Sequence, residues 1–206
     1  MKIISQNDKN AIKIAVDFLK NNKIISLATD TIYGLAVDAS SKIAVDALYD
    51  FKKRQKSKPI AIFLPNLAMA KEIFVFDEIS QKIAKIFLPG ALTLILKKRQ
   101  NSKIKLAKNL NNNDGFLGFR IIKNDFITKL LNEFGGAIAV TSANISGDKN
   151  AVFFDEIIKN LKPDLAIDGG ISHEKIPSTI VKIADGKLTI LREGAISSNT
   201  INSSVK

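Results

Sequence analysis

Residues 26–39, Ser26-Leu27-Ala28-Thr29-Asp30-Thr31-Ile32-Tyr33-Gly34-Leu35-Ala36-Val37-Asp38-Ala39 (SLATDTIYGLAVDA), decide how this chain is read. The run Ile24-Ile25-Ser26-Leu27 entering the stretch reads as a buried strand. Two threonines around an aspartate, then an aromatic and a glycine, stand where a strand-to-helix connection ordinarily carries Pro, Asn or Ser. Three hydrogen-bonding side chains thus sit at the end of the first strand, where open α/β sheets gather their ligands. The competing reading is a local turn in which the threonines bond only their own backbone.

Outward from this stretch, strands alternate with helices. A helix is expected over 5–22, capped by Asn7 or Asp8, with Ala11, Ile12, Ala15, Val16 and Leu19 forming a stripe at 3.6-residue spacing. Lys23–Ala28 is a strand and Ser41–Phe51 a helix. Pro59–Leu64 is a strand, Asn66–Phe74 and Glu78–Leu88 are helices, and Pro89-Gly90 stops the second. Strands follow at Ala91–Leu96 and Phe116–Ile122, a helix at Asp125–Phe134, and a buried strand at Ala137–Val140. A helix near Asp155–Leu161 and a strand at Leu165–Ile167 lead to a closing hairpin, two alternating runs joined at Asp185-Gly186. The alternation predicts an α/β fold, and the hairpin makes the sheet mixed. At 206 residues with no evident linker, one domain is expected over 1–196, with 197–206 a polar, disordered C-terminal tail.

Composition removes whole classes of chemistry. The absence of cysteine excludes disulfides, Cys-ligated zinc and thiol catalysis, and fits a reducing compartment. No run approaches the roughly 18 apolar residues of a membrane span, and the N-terminus lacks the apolar core of a signal peptide, so a cytoplasmic protein with no membrane partner is expected. The formal charge of +11 invites a polyanion, yet most of it is lysine, which also suits plain solvated helix faces. Only four residues are arginine: Arg54, Arg99, Arg120 and Arg192. A forked, planar donor is not interchangeable with lysine, so each marks a place where the fork can matter; Arg99, in Lys97-Lys98-Arg99-Gln100, reads as part of a solvated charge run.

The usual catalytic sets are missing. There is no nucleotide-binding P-loop, no G-x-G-x-x-G and no zinc-protease pattern. The single histidine, His173, reads as an exposed loop residue. What remains is a series of polar clusters at strand ends: Thr29–Gly34, the cationic Lys52–Lys58, Arg120, Thr141–Asn144, Pro177–Thr179 and Leu191–Gly194. Forked and point cations with hydroxyl and amide groups suit a triphosphate and a small zwitterion.

In that order the clusters resemble the threonylcarbamoyl-AMP synthase family, the YrdC-like (TsaC) proteins, from about residue 5 to 196. The matching segments are TDTIYGL (29–35), Lys52-Lys53-Arg54 followed by Lys58-Pro59, LPGALTLIL (88–96), GFR (118–120), TSANISG (141–147), STIV (178–181) and LREGAI (191–196). The resemblance implies a twisted, open mixed sheet with flanking helices and a large concave cleft. It implies that Thr31, Arg120, Thr141 and Ser178 hold L-threonine. It places ATP at Lys52, Arg54, Lys58, Ser142, Asn144 and Arg192, with Lys52 and Arg54 catalytic. L-threonine, bicarbonate and ATP would give threonylcarbamoyl-AMP and pyrophosphate, with Mg2+ accompanying ATP, and partner proteins would pass the threonylcarbamoyl group to tRNA. Ala28 and Gln55 stand where the family often has proline. The sequence names no metal ligand; Asp30 and Asp38 are the nearby carboxylates.

Two rivals stay open at this point. One is an RNA-binding module reaching tRNA through the basic surface, although a chain with no Trp and two Tyr offers few stacking aromatics. The other is a paralogue on the same fold acting on another acceptor, which the retained K-x-R and S-x-N pairs disfavour.

Overall fold

A computed structural model describes residues 1–110, 114–147, 150–172 and 175–205. Among them the strands are β1 (Lys2–Ser5), β2 (Ile25–Leu27), β3 (Gly34–Asp38), β4 (Ala61–Phe63), β5 (Leu92–Lys97), β6 (Phe116–Arg120), β7 (Ile138–Ser142), β8 (Leu165–Asp168), β9 (Thr179–Ala184) and β10 (Lys187–Arg192). The helices are α1 (Ala11–Lys20), α2 (Lys42–Phe51), α3 (Leu67–Ile73), α4 (Glu78–Phe87), α5 (Asp125–Phe134), α6 (Phe154–Asn160) and α7 (Ser198–Ser204). His173 lies outside the described residues.

Local chemistry sets many of these boundaries. Ser41, Asn66, Asp77 and Asn124 each accept a backbone N–H of the first turn and start α2, α3, α4 and α5. Gly135, at φ 75°, ends α5 in the left-handed conformation. Helix α2 ends differently: Lys53 N–H bonds the Asp50 carbonyl, Arg54 N–H bonds the Tyr49 carbonyl, and Lys53 sits at φ 51°. This is a Schellman closure with lysine where glycine is usual. It sends Lys52 and Arg54 in different directions.

The strands form one mixed sheet in the order β1-β8-β2-β3-β7-β4-β6-β5-β9-β10. Pairings β1/β8, β2/β8, β4/β6 and β5/β9 are parallel and the rest antiparallel. Helices α1 and α5 cover one face, where Ala15, Leu19, Ile127 and Leu131 pack on Leu27, Ala36, Ile138 and Val140. The other face carries the remaining helices over Leu35, Ile62, Leu94, Phe119 and Val181. The core beneath α1 and α5 draws no residue from β5, β9 or β10. Among the described residues that core stops short of these strands, and Thr93 of β5 and Ile180 of β9 line the site.

Four sequence expectations change. Residues 2–5 are a strand, because Ile4 pairs in parallel with Ile167 and turns inward, so α1 begins only at Ala11. Asp8 accepts the Asn10 N–H in the preceding turn instead of capping the helix. Gly34–Asp38, read as part of a connection, is a strand between β2 and β7. Residues 198–204, expected to be disordered, form α7, which packs on α4 with Ile201 fully buried.

Candidate active site

The residues of TDTIYG answer the opening stretch with two separate jobs. Thr29 satisfies the turn: its hydroxyl accepts from the Thr31 and Ile32 N–H groups and donates to the Ile32 carbonyl at 2.7 Å. That leaves Thr31 to face Arg120, whose Nη1 donates to Thr31 Oγ1 at 3.1 Å. Arg120 ends β6 and is nearly fully buried. Its Nη2 donates to both Asp30 carboxylate oxygens, at 2.7 and 2.9 Å, and to the Gly90 carbonyl at 3.0 Å. Burial pulls the guanidinium below its ordinary pKa and Asp30 opposes that pull. Its Nε is buried and has no partner among the described residues. The Phe63 ring lies 5.5 Å from the guanidinium carbon.

Opposite this corner, β9 and β10 bring in Ser178 and Arg192. Ser178 Oγ and Thr93 Oγ1 share a hydrogen bond of 2.8 Å. Arg192 Nη2 and Nε donate to the Ser178 carbonyl at 2.7 and 3.2 Å. The register explains how Arg192 arrives there. Ile190 pairs with Val181 but Arg192 pairs with Ile180, so Leu191 is the extra residue of a bulge. An unbroken ladder would place Arg192 beside Thr179, on the other face. The bulge returns it to the face of Ile180, which lines the pocket. Gly194 makes the close return possible: a Cβ there would meet the Pro177 carbonyl oxygen at 2.1 Å.

The K-x-R and S-x-N residues form a third corner. Lys52 is buried, and its ammonium donates to the Ser142 carbonyl and to Asn144 Oδ1, the latter at 2.6 Å. Ser142 Oγ also donates to Asn144 Oδ1, at 2.9 Å. Burial, and secondarily the charge of Arg54, push the Lys52 pKa down to about 7. Arg54 is pinned by donating from Nε to the Lys58 carbonyl at 3.0 Å and from Nη2 to the Pro59 carbonyl at 2.9 Å. Burial lowers the pKa of Arg54 and Arg192 as well.

These corners enclose a pocket of about 190 Å³. Of the residues predicted from sequence, Thr31, Arg54, Arg120, Thr141, Ser142, Ser178 and Arg192 line it. Lys52 and Asn144, bonded to each other beside Ser142, fall outside the lining, and so does Lys58, whose side chain is exposed and whose carbonyl anchors Arg54 and Tyr49 Oη. Sequence reasoning gave no role to Thr93 or Phe63. The available signal for Thr93 was one hydroxyl at an inward position of an otherwise apolar strand. Arg99, read as a solvated charge, instead bonds the Lys71 and Phe74 carbonyls at the end of α3. Asp38 accepts from Ser40, and both Asp30 oxygens are on Arg120. Among the described residues no group of three His, Cys, Asp or Glu could hold a metal.

Known proteins share this fold. Residues 17–194 match the Sua5/YciO/YrdC family, described as telomere recombination. A Methanocaldococcus jannaschii protein is 35% identical over 202 residues, 95% of this chain and 93% of its own. Mouse threonylcarbamoyl-AMP synthase is 32% identical over 201 residues, 92% of this chain and 69% of its own. In fold, the chain is similar to Pyrococcus abyssi Sua5 complexed with L-threonine, with TM-score 0.90, 24% identity and 98% of this chain covered. This chain spans 60% of that Sua5 structure. Escherichia coli YciO superimposes with TM-score 0.85 at 21% identity, covering 97% of each chain. With its motifs in family order and matched over most of its length, the chain belongs to the Sua5/YciO/YrdC family.

Proposed function

We propose that this chain is a threonylcarbamoyl-AMP synthase, a nucleotidyltransferase that condenses L-threonine, bicarbonate and ATP. The observation that carries the reading is the convergence of Arg54, Arg120 and Arg192 on one pocket, interleaved with the hydroxyls of Thr31, Ser142 and Ser178. The names of the curated relatives support the same activity.

The chemistry explains why no covalent nucleophile is needed. The threonine amine attacks carbon dioxide derived from bicarbonate, forms an N–C bond, loses a proton and becomes a carbamate. A carbamate oxygen then attacks the α-phosphorus of ATP, and the bond to the β-phosphate oxygen breaks as pyrophosphate leaves. Two anions must be desolvated and aligned, and charge on the phosphate oxygens stabilised. Arg120, Thr31 and Ser178 are the threonine corner. Arg54 and Arg192 are the forked cations for the phosphates, and Lys52 holds the Ser142–Asn144 turn against them. Magnesium would enter with ATP as part of the substrate; among the described residues the pocket lining supplies hydroxyls and guanidiniums. The product is a mixed anhydride, and partner proteins that transfer its threonylcarbamoyl group to tRNA would consume it. Among the described residues no helix is long and apolar enough to cross a membrane; we place the reaction in the cytoplasm.

The test is rapid-quench mass spectrometry of the protein with ATP, magnesium, bicarbonate and L-threonine. A threonylcarbamoyl-adenylate peak that requires both threonine and bicarbonate is expected. Folded protein that binds ATP yet gives no such product would move the assignment to a paralogue with another acceptor.

A further inference from the structure

Tyr33 is the residue of the opening motif that the mechanism leaves without a task. It is fully buried, and all its polar groups are engaged with other segments. Its N–H donates to the Ala151 carbonyl at 3.0 Å, and its carbonyl accepts from Ala143 N–H at 2.8 Å. Its hydroxyl accepts from Gly169 N–H at 3.1 Å and donates to the Gly170 carbonyl at 2.9 Å. Burial pushes the phenol pKa up to about 12, so the hydroxyl keeps its proton for Gly170 throughout the neutral range.

These bonds divide along the pocket. Ala143 lies between Ser142 and Asn144, and Ala151 bonds back to it through Ala151 N–H and the Ala143 carbonyl at 3.1 Å. The Tyr33 main chain therefore holds the segment that carries the S-x-N corner. Gly169 and Gly170 lie upstream of Pro177 and Ser178 in the chain. Lys175 N–H, three residues before Ser178, also bonds the Thr31 carbonyl, at 3.0 Å. The phenol is a rigid spacer between the two: its ring is locked beside Phe154, with centroids 6.4 Å apart. Gly169 must come close to do this, since a Cβ there would meet Ala28 Cβ at 2.6 Å.

We propose that Tyr33 is a positioning residue that sets the separation between the two halves of the pocket, its main chain fixing the S-x-N corner and its hydroxyl fixing Gly169 and Gly170, upstream of Lys175 and Ser178. It touches neither substrate through that hydroxyl, and its effect on turnover passes through Ser178. The assignment of halves to substrates rests on the synthase reading; the tether itself does not.

Tyr33→Phe removes the hydroxyl and keeps the ring, the main-chain bonds and the packing. The Gly169 N–H and Gly170 carbonyl then lose their partner. The expected result is selective. The KM for threonine rises about tenfold, the order expected for a buried bond left unmade, while the KM for ATP stays within about twofold. A merely structural role would lower the melting temperature and shift both constants together, or neither. Hydrogen exchange read by mass spectrometry supplies a measurement that does not need activity. In Tyr33→Phe the amides of residues 169–172 should exchange faster while those of 141–147 stay as in the unsubstituted protein. Equal exchange at 169–172 overturns the tether. Faster exchange with both KM values unchanged overturns the positioning role. If the unsubstituted protein makes no threonylcarbamoyl-adenylate, the synthase reading falls, and the exchange result still decides the tether.

Discussion

Asp30 and Arg120, 90 residues apart, form a buried ion pair in which both carboxylate oxygens accept from one guanidinium nitrogen, at 2.7 and 2.9 Å. Their side chains are 11% and 5% exposed, so the pair is effectively withdrawn from solvent. Asp30 is thus the partner that lets a charged Arg120 sit in the pocket wall, with both of its carboxylate oxygens on the arginine.

Breaking that pair should be far worse than losing a surface bridge. Asp30→Asn leaves a buried guanidinium without a counter-charge, and about 3 kcal/mol of stability should be lost. Urea unfolding with a double-mutant cycle against Arg120→Met measures it. A coupling energy near zero would show that solvent, not Asp30, supports the arginine.

Arg54 and Lys58 should separate sharply. Arg54→Ala removes a forked cation from the pocket and should lower kcat/KM on the order of 10²-fold. Lys58 contributes its main-chain carbonyl to Arg54, which survives Lys58→Ala, so that variant should lose much less. Steady-state kinetics with ATP varied distinguishes them; equal losses would mean the Lys58 ammonium itself meets the nucleotide.

The Lys52 proton gives stability a pH dependence of definite sign. Its pKa falls to about 7 in the folded protein from the ordinary lysine value of 10.5. Between those values the unfolded chain holds the proton and the folded one does not, so stability from this group rises with pH across that window. Below about pH 7 both states are protonated and the contribution is flat at its minimum. Urea midpoints of the unsubstituted protein and of Lys52→Met, taken from about pH 6 to about pH 10, should diverge in favour of lysine as pH rises. Parallel curves would place the folded pKa near that of free lysine.

Two backbone positions invite opposite substitutions. Lys53 occupies the left-handed region at φ 51°, so Lys53→Gly should stabilise by about 1 kcal/mol. Gly194→Ala drives a methyl group into the Pro177 and Ser178 backbone. It should cost about 1–3 kcal/mol and depress activity further by displacing Ser178 from Arg192. Thermal unfolding and turnover measured together check both; a fully active Gly194→Ala would show that the 194–196 arm does not set the Ser178 corner.

The elements legible in the sequence are those whose signals are local. Helix α5 was readable to the residue because Asn124 caps its start and Gly135 adopts the left-handed end, both within a turn of the boundary. The closing hairpin was readable because Asp185 and Gly186 supply the two positive φ angles its turn needs. Strand β1 left no comparable mark. It is an edge strand of four residues with one inward side chain, and its partner β8 lies more than 150 residues away. Strand β3 is almost wholly buried and shows no alternation to read.

By itself the sequence determined the polar clusters, their order and the family they resemble, because each cluster is a short run of residue types whose hydrogen-bonding capacity is intrinsic. Only the tertiary structure decided which clusters meet. Thr31 reaches Arg120 across 89 residues, Lys52 reaches Asn144 across 92, and Thr93 reaches Ser178 across 85. Each meeting depends on sheet order and register, which are fixed by non-local strand pairing and by the burial of whole faces. The bulge at Leu191 is the sharpest case. Arg192 is visible in the chain as one of four arginines, but its place in the pocket follows from a single extra residue opposite Ile180, because side chains on a strand alternate faces and one insertion reverses the choice.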